Sequence, residues 1–173
     1  MAKINQGKKF ETNFSKSVPD YALLYRIADS AQSFGGGNLR FSNRNPFDYI
    51  LFDSHKHILY ALELKTIESG SIPFDRKPED KNGKIHYHQI MGLNKWAEYD
   101  GIIAALIIEF RDIEKTVFIR IEDFNKLMDV IPKRSFRYDD LQKYNIPYTP
   151  IDQVKKKVNY KYFVDALLES ITL

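Results

Sequence analysis

The stretch NPFDYILFDSHKHILYALELK, residues 45–65, decides the fold. Two runs rich in aromatic and branched residues, Tyr49 to Phe52 and Ile58 to Leu64, flank the polar segment Asp53-Ser54-His55-Lys56-His57, which is the pattern of an antiparallel hairpin. Opposed residues in a hairpin have numbers that sum to a constant, so a turn centred between His55 and Lys56 sets Asp48 opposite Glu63. Opposed side chains share a face with Cβ atoms roughly 5 Å apart. Lys65 joins Glu63 on that face because strand side chains repeat every two residues. Two carboxylates and an ammonium at neighbouring strand ends suit a divalent metal held at a phosphodiester. The placement depends on register, since a slip of one residue sends Asp48 to the other face.

Charged residues at strand ends are commonly solvated caps or cross-strand ion pairs. The setting here argues for chemistry instead: Leu62 and Leu64 flank Glu63, and Ile58 to Leu64 is apolar enough for a central strand, where an unpaired charge is costly.

The other elements follow outward from the hairpin. Phe10, Phe14 and Val18, spaced by four, mark a short helix over 8–18 that Pro19 ends, and 21–27 reads as a strand. Three successive glycines, Gly35 to Gly37, break regular structure and make residues 33–45 a mobile loop or the tip of a projecting hairpin. No Walker or dinucleotide spacing is completed there, so no nucleotide cofactor is expected. Residues 66–84 form a long loop with Pro73, Pro78 and Gly83. Ile90, Leu93, Trp96 and Ala97 give a helix over 86–99 that packs on the sheet, with His86, His88 and Gln89 at its start. Residues 101–110 are nearly all apolar, hence a strand buried on both faces; 116–121 is a further strand. Helices are expected over 122–130, 139–143 and 160–168. The whole describes an α/β fold in which a mixed β-sheet is flanked by helices.

Composition bounds the function. At 173 residues, 43% hydrophobic and 28% charged, the chain fits one globular domain, 1–173, with a real core. The absence of cysteine excludes disulfides and thiolate zinc sites and suits a reducing cytosol. No apolar signal core and no run of about 18 apolar residues is present, so a cytoplasmic protein without membrane contact is expected. The net charge of +3 conceals two basic flanks, Lys3 to Arg44 and Lys133 to Lys161, around a more acidic middle. Such a distribution fits a groove whose walls grip phosphates over a floor of metal-binding acids. Phe34 and Phe41, beside glycines and arginines, are placed to stack on unpaired bases. His86 and His88 lack a third ligand at zinc spacing and are better read as hydrogen bonders or phosphate contacts. Lys155-Lys156-Lys157 reads most simply as a solvated run, with phosphate contact as the sharper alternative.

Pro46-Phe47-Asp48, followed after fourteen residues by Glu63-Leu64-Lys65, resembles the PD-(D/E)xK signature of restriction-endonuclease-like nucleases. Gly7-Lys8-Lys9-Phe10-Glu11, Glu63-Leu64-Lys65-Thr66, Ser71-Ile72-Pro73-Phe74 and His88-Gln89-Ile90, in order with the Asp48 hairpin, resemble RecU-type Holliday-junction resolvases. The resemblance implies a dimeric, Mg²⁺- or Mn²⁺-dependent endonuclease that nicks opposed strands of a four-way DNA junction in a bacterial or phage-infected cell. It makes Asp48 and Glu63 the metal-binding acids, Lys65 the catalytic lysine and Glu11 the assisting acid of the first helix. Gln89 becomes the polar residue of the helix beside the sheet, with His88 next to it. It places a projecting stalk at 33–45, shorter here and glycine-rich, and DNA contacts at Lys8, Lys9, Arg40, Arg44, Phe34 and Phe41. Magnesium's preference for oxygen ligands and retained waters makes Asp48, Glu63 and the Leu64 backbone carbonyl a sufficient set. Lys65 either orients the attacking water or stabilises developing charge. A general PD-(D/E)xK nuclease and a non-catalytic junction-binding scaffold are the competing functions.

Overall fold

A computed structural model of the chain describes residues 5–28 and 45–172. Phe34, Arg40, Phe41 and Arg44, and the expected stalk apart from Asn45, lie outside the described residues. Six strands form one sheet in the order β1 (Ala22–Arg26), β2 (Tyr49–Asp53), β3 (Ile58–Ile67), β5 (Ile102–Phe110), β6 (Lys115–Arg120) and β8 (Thr149–Ile151). All neighbours are antiparallel except β3 and β5, which run parallel. A parallel pair needs a crossover, and α2 (Tyr87–Ala97) supplies it. The sheet is therefore mixed and flanked by helices, as the element pattern predicts.

Alternation along the strands divides the core into two layers. Ala61, Ile67, Leu106 and Ile108 face Ile90 and Leu93 of α2 and Phe124 and Leu127 of α3 (Ile121–Val130). Leu62, Leu64, Ala105 and Ile107 face Phe10 and Phe14 of α1 (Gln6–Ser15) together with Leu167 and Leu168 of α5 (Val164–Ser170). β5 is buried on both faces from Ile103 to Phe110, as its nearly all-apolar run, broken only by Glu109, requires. α1 stops at Ser15, three residues earlier than the apolar spacing predicts. The Ser15 and Ser17 hydroxyls donate back to the carbonyls of Glu11 and Asn13, local bonds of the kind that compete with helix continuation.

Two corrections concern other stretches. The long loop expected over 66–84 starts late, because β3 continues through Ile67, and it contains a two-residue strand, β4 (Ile72–Pro73), paired with β7 (Ser135–Phe136). The helix expected over 160–168 starts only at Val164. β9 (Gln153–Lys156) and β10 (Asn159–Tyr162) instead make a second hairpin carrying the lysine run. Tyr162 explains the difference: its hydroxyl donates to the buried Glu109 Oε1 at 2.6 Å, while the Thr66 hydroxyl donates to Oε2 at 2.6 Å. Both carboxylate oxygens are thereby satisfied, and burial, then the Glu109 charge, pushes the Tyr162 phenol well above its usual range. β8 contains Pro150, which a strand tolerates here because β8 is at the sheet's edge. A short helix, α4 (Tyr138–Lys143), lies between β7 and β8. No helix among the described residues is long and apolar enough to cross a membrane.

Candidate active site

The β2–β3 turn sets the site. Asp53 Oδ1 accepts from the backbone N–H groups of His55 and Lys56, at 2.9 and 3.3 Å, and His57 takes φ 55°. Lys56 Nζ in turn donates to the carbonyls of Leu168, Glu169 and Ile171 at 2.6 to 2.8 Å, tying the turn to the end of α5. With the turn closed this way, Tyr49 pairs with Leu62 and Asp53 with Ile58, the register that the hairpin arithmetic predicts. Asp48 extends the ladder by one bond, its N–H donating to Leu62 O at 3.1 Å. Asp48 Oδ2 accepts from the Leu64 N–H at 2.9 Å.

Glu63 lies fully buried in the central strand β3. Its Oε1 accepts from Gln89 Nε2 and from Lys65 Nζ, each at 2.5 Å. Its Oε2 has no donor among the described residues. Burial pushes the Glu63 carboxyl up to about 8; Lys65 opposes that shift and Asp48 adds to it. Asp48 is also raised, again chiefly by burial, with the Leu64 N–H and Lys65 pulling the other way. Each carboxyl perturbs the other's proton affinity, so the orphaned oxygen of Glu63 belongs to a closely spaced acidic pair.

Helix α2 reaches Glu63 through two supports. Gln89, nearly buried, spends its Oε1 on the backbone N–H of His86 at 2.9 Å, which orients its amide so that Nε2 points at Glu63. His86 Nδ1 lies 3.2 Å from Oδ2 of the buried Asp75, whose Oδ1 accepts from Gly83 N at 2.7 Å. A Cβ on Gly83 would sit 2.5 Å from the Asp75 backbone nitrogen, so only glycine lets the loop close there. The second support is Gly92. A Cβ there would meet Pro46 Cβ at 2.4 Å and its Cα and carbonyl oxygen at 2.9 Å, and Phe47 packs edge-on against Trp96 at 4.9 Å. Glycine in mid-helix thus lets α2 press against the segment that carries Asp48.

Asp48, Glu63, Lys65 and Gln89 therefore converge. Glu11 is close enough to raise the Asp48 carboxyl, yet its Oε2 accepts from Arg26 Nε at 3.1 Å and Tyr49 OH at 3.3 Å. It flanks the acidic pair from α1. His88 stacks on His86 with centroids 5.6 Å apart, and its neighbour Gln89 contacts Glu63. Lys8 and Lys9 diverge: Lys8 shares an open cavity with Glu11, Arg26 and Tyr49, whereas Lys9 lines a different one with Arg111. Sequence reasoning missed Asp75, whose burial nothing local announces. It also passed over Gly92, although a glycine inside a helical pattern is itself a packing signal.

A buried carboxylate oxygen without a donor, beside a second carboxylate, fits either a shared proton or a cation. Asp48, Glu63 Oε2 and the Leu64 carbonyl are oxygen ligands of the kind magnesium takes while retaining several waters. Among the described residues no three His, Asp or Glu side chains converge as a metal site, so two acids are the side-chain ligands this site offers.

No family model matches the chain. A relative is the SPbeta prophage-derived uncharacterized protein YotM of Bacillus subtilis (strain 168), 34% identical over 174 residues, covering 94% of this chain and 85% of that protein. Identity at that level along nearly the whole length shows common descent, and the chain belongs to the family of this prophage-derived protein.

Proposed function

We propose that this protein is a Mg²⁺-dependent endodeoxyribonuclease of the PD-(D/E)xK type that cuts four-way DNA junctions, with Mn²⁺ able to substitute. The observation that carries the proposal is Glu63 Oε2, a buried acceptor without a donor beside Asp48. Leaving such a group unpaired costs about 1–3 kcal/mol or more, a cost that a metal ligand recovers on binding. The element order supports the same reading: α1, three antiparallel strands, the crossover helix α2, then β5 parallel to β3. That is the order the PD-(D/E)xK resemblance implies.

Asp48, Glu63 and the Leu64 carbonyl would hold the ion, which would supply an activated water and offset phosphoryl charge. Gln89 restrains Glu63 through Oε1 and leaves the acceptor Oε2 for an ion. Lys65, mostly buried, keeps a fixed cation beside the reacting phosphate. Glu11 adds negative charge from α1, where its contacts with Arg26 and Tyr49 restrain it. The choice of a branched substrate rests on the RecU-type resemblance. Cutting two symmetric strands calls for two equivalent sites, hence a homodimer. The setting is a phage-infected or lysogenic bacterial cell, in keeping with the prophage origin of the relative.

The test is cleavage of a synthetic four-way junction in Mg²⁺ or Mn²⁺. Paired nicks are expected, abolished in Asp48→Ala and Glu63→Ala while binding persists. Equal cutting of linear duplex would reduce the proposal to a general nuclease. Tight junction binding with no nick in either metal would leave a non-catalytic scaffold.

A further inference from the structure

On the α1 face of the sheet an open cavity of about 310 Å³ lies between α1 and the β9–β10 hairpin. Lys9, Arg111, Lys155 and Lys157 line it, with Gln6 and Gln153 as further polar groups. The one acid in its wall, Glu109, already has both oxygens occupied by Thr66 and Tyr162. We propose that this cavity is a second phosphate-binding subsite, which grips the DNA backbone away from the cleaved bond; it rests on the nuclease reading above.

The topology puts the subsite on the path a strand of DNA would take. β3 and β5 are parallel, so their carboxyl ends share one end of the sheet: Lys65 pairs with Ile108, and Arg111 N donates to Ile67 O at 3.0 Å. Arg111 is three residues beyond the partner of Lys65, about 10 Å along the strand at roughly 3.3 Å per residue. Measured along a duplex axis, that is about three base-pair rises at 3.4 Å each. Lys84 feels both charges: its ammonium is held below the usual lysine range by burial first, then by Arg111 and Lys65. Cations thus run from the acidic pair, round the end of the sheet, into the cavity.

Present partners of these cations are weak. Arg111 reaches the exposed Glu68 only at 3.7 Å and Lys155 reaches Glu114 at 3.9 Å, surface pairs that contribute little and exchange readily for phosphate. Arg111 Nε is buried without an acceptor among the described residues. Lys157 occupies the β9–β10 turn at φ 57°, a conformation that glycine or asparagine adopts more cheaply. A lysine is thereby presented, exposed, at the hairpin's tip.

The experiment measures binding of the full chain to fluorescein-labelled linear duplex in EDTA across a salt series, so that no cleavage is needed. Lys155→Ala/Lys157→Ala is compared with Lys95→Ala/Lys126→Ala, which removes the same charge from α2 and α3. All four side chains are exposed, so folding is not at stake. Two lost phosphate contacts should flatten the plot of log affinity against log salt by about 1.8 for the hairpin variant alone. An unchanged slope, or equal flattening in both variants, overturns the subsite and leaves the nuclease reading intact. Failure of the unaltered protein to bind DNA overturns both. A flattened hairpin slope in a protein that never nicks junctions keeps the subsite and defeats the nuclease reading.

Discussion

Replacing Glu63 by Gln should make the metal-free protein more stable while removing its metal response. Glu63 titrates near 8 in the folded chain against an ordinary value of 4.5. Between those values the folded state holds a proton that the unfolded state has released, so stability falls as pH rises and levels off above about pH 8. The loss attributable to Glu63 is on the order of 3 kcal/mol by pH 7 and 5 kcal/mol by pH 9. Glutamine has the same shape and no such titration. Its Oε1 still accepts from Gln89 and Lys65, and its amide N–H occupies the position of the orphaned Oε2, where it meets the acceptor Asp48. Urea unfolding of both proteins in EDTA at pH 5, 7 and 9 should give curves that diverge with pH, the variant becoming the more stable. Mg²⁺ should then stabilise the unaltered protein at pH 9 and leave Glu63→Gln unmoved. Parallel pH profiles would refute the idea that Glu63 is a strained, proton-holding acid.

Gly92→Ala should destabilise by about 1–3 kcal/mol despite alanine's helix preference of about 1 kcal/mol, because its Cβ meets Pro46 at 2.4 to 2.9 Å; a higher urea midpoint would show that α2 has room to spare. Gln89→Leu removes one donor from Glu63 Oε1 and should raise that carboxyl further, shifting the pH at which Mg²⁺ first raises Tm upward. An unmoved midpoint would mean that Lys65 alone sets the acid. Tyr162→Phe leaves Glu109 Oε1 without its donor at unchanged shape and should cost about 1–3 kcal/mol in urea unfolding.

The hairpin was legible because its information is local. Two apolar runs surround a polar turn, and Asp53 closes that turn through bonds to residues two and three positions on. β5 was legible for a similar reason, since a nearly all-apolar run of its length suits a strand covered on both faces. Tyr160 to Tyr162 reads as helix in the sequence yet forms a strand, because what holds Tyr162 is Glu109, a residue 53 positions away. The Gln89–Glu63 bond spans 26 positions, and the resemblance sets Gln89 on the helix beside the sheet without naming its partner. The two basic flanks were visible as composition, but only the fold brings Lys9 of one and Lys155 and Lys157 of the other to a single cavity.

The parallel pairing of β3 with β5 also bears on the order of folding. The β2–β3 hairpin closes over a short loop and can form early, with Asp48 and Glu63 still hydrated. Lys65 meets Ile108 only after the chain between them has crossed over as α2, a slow, non-local step. Gln89 rides on that same helix, so Glu63 loses its water only when the crossover docks. The penalty for burying the acid therefore falls on the docking of α2 rather than on closure of the hairpin. Raising the pH should consequently loosen that docking, and transient opening of α2 is the route by which the acidic pair regains water.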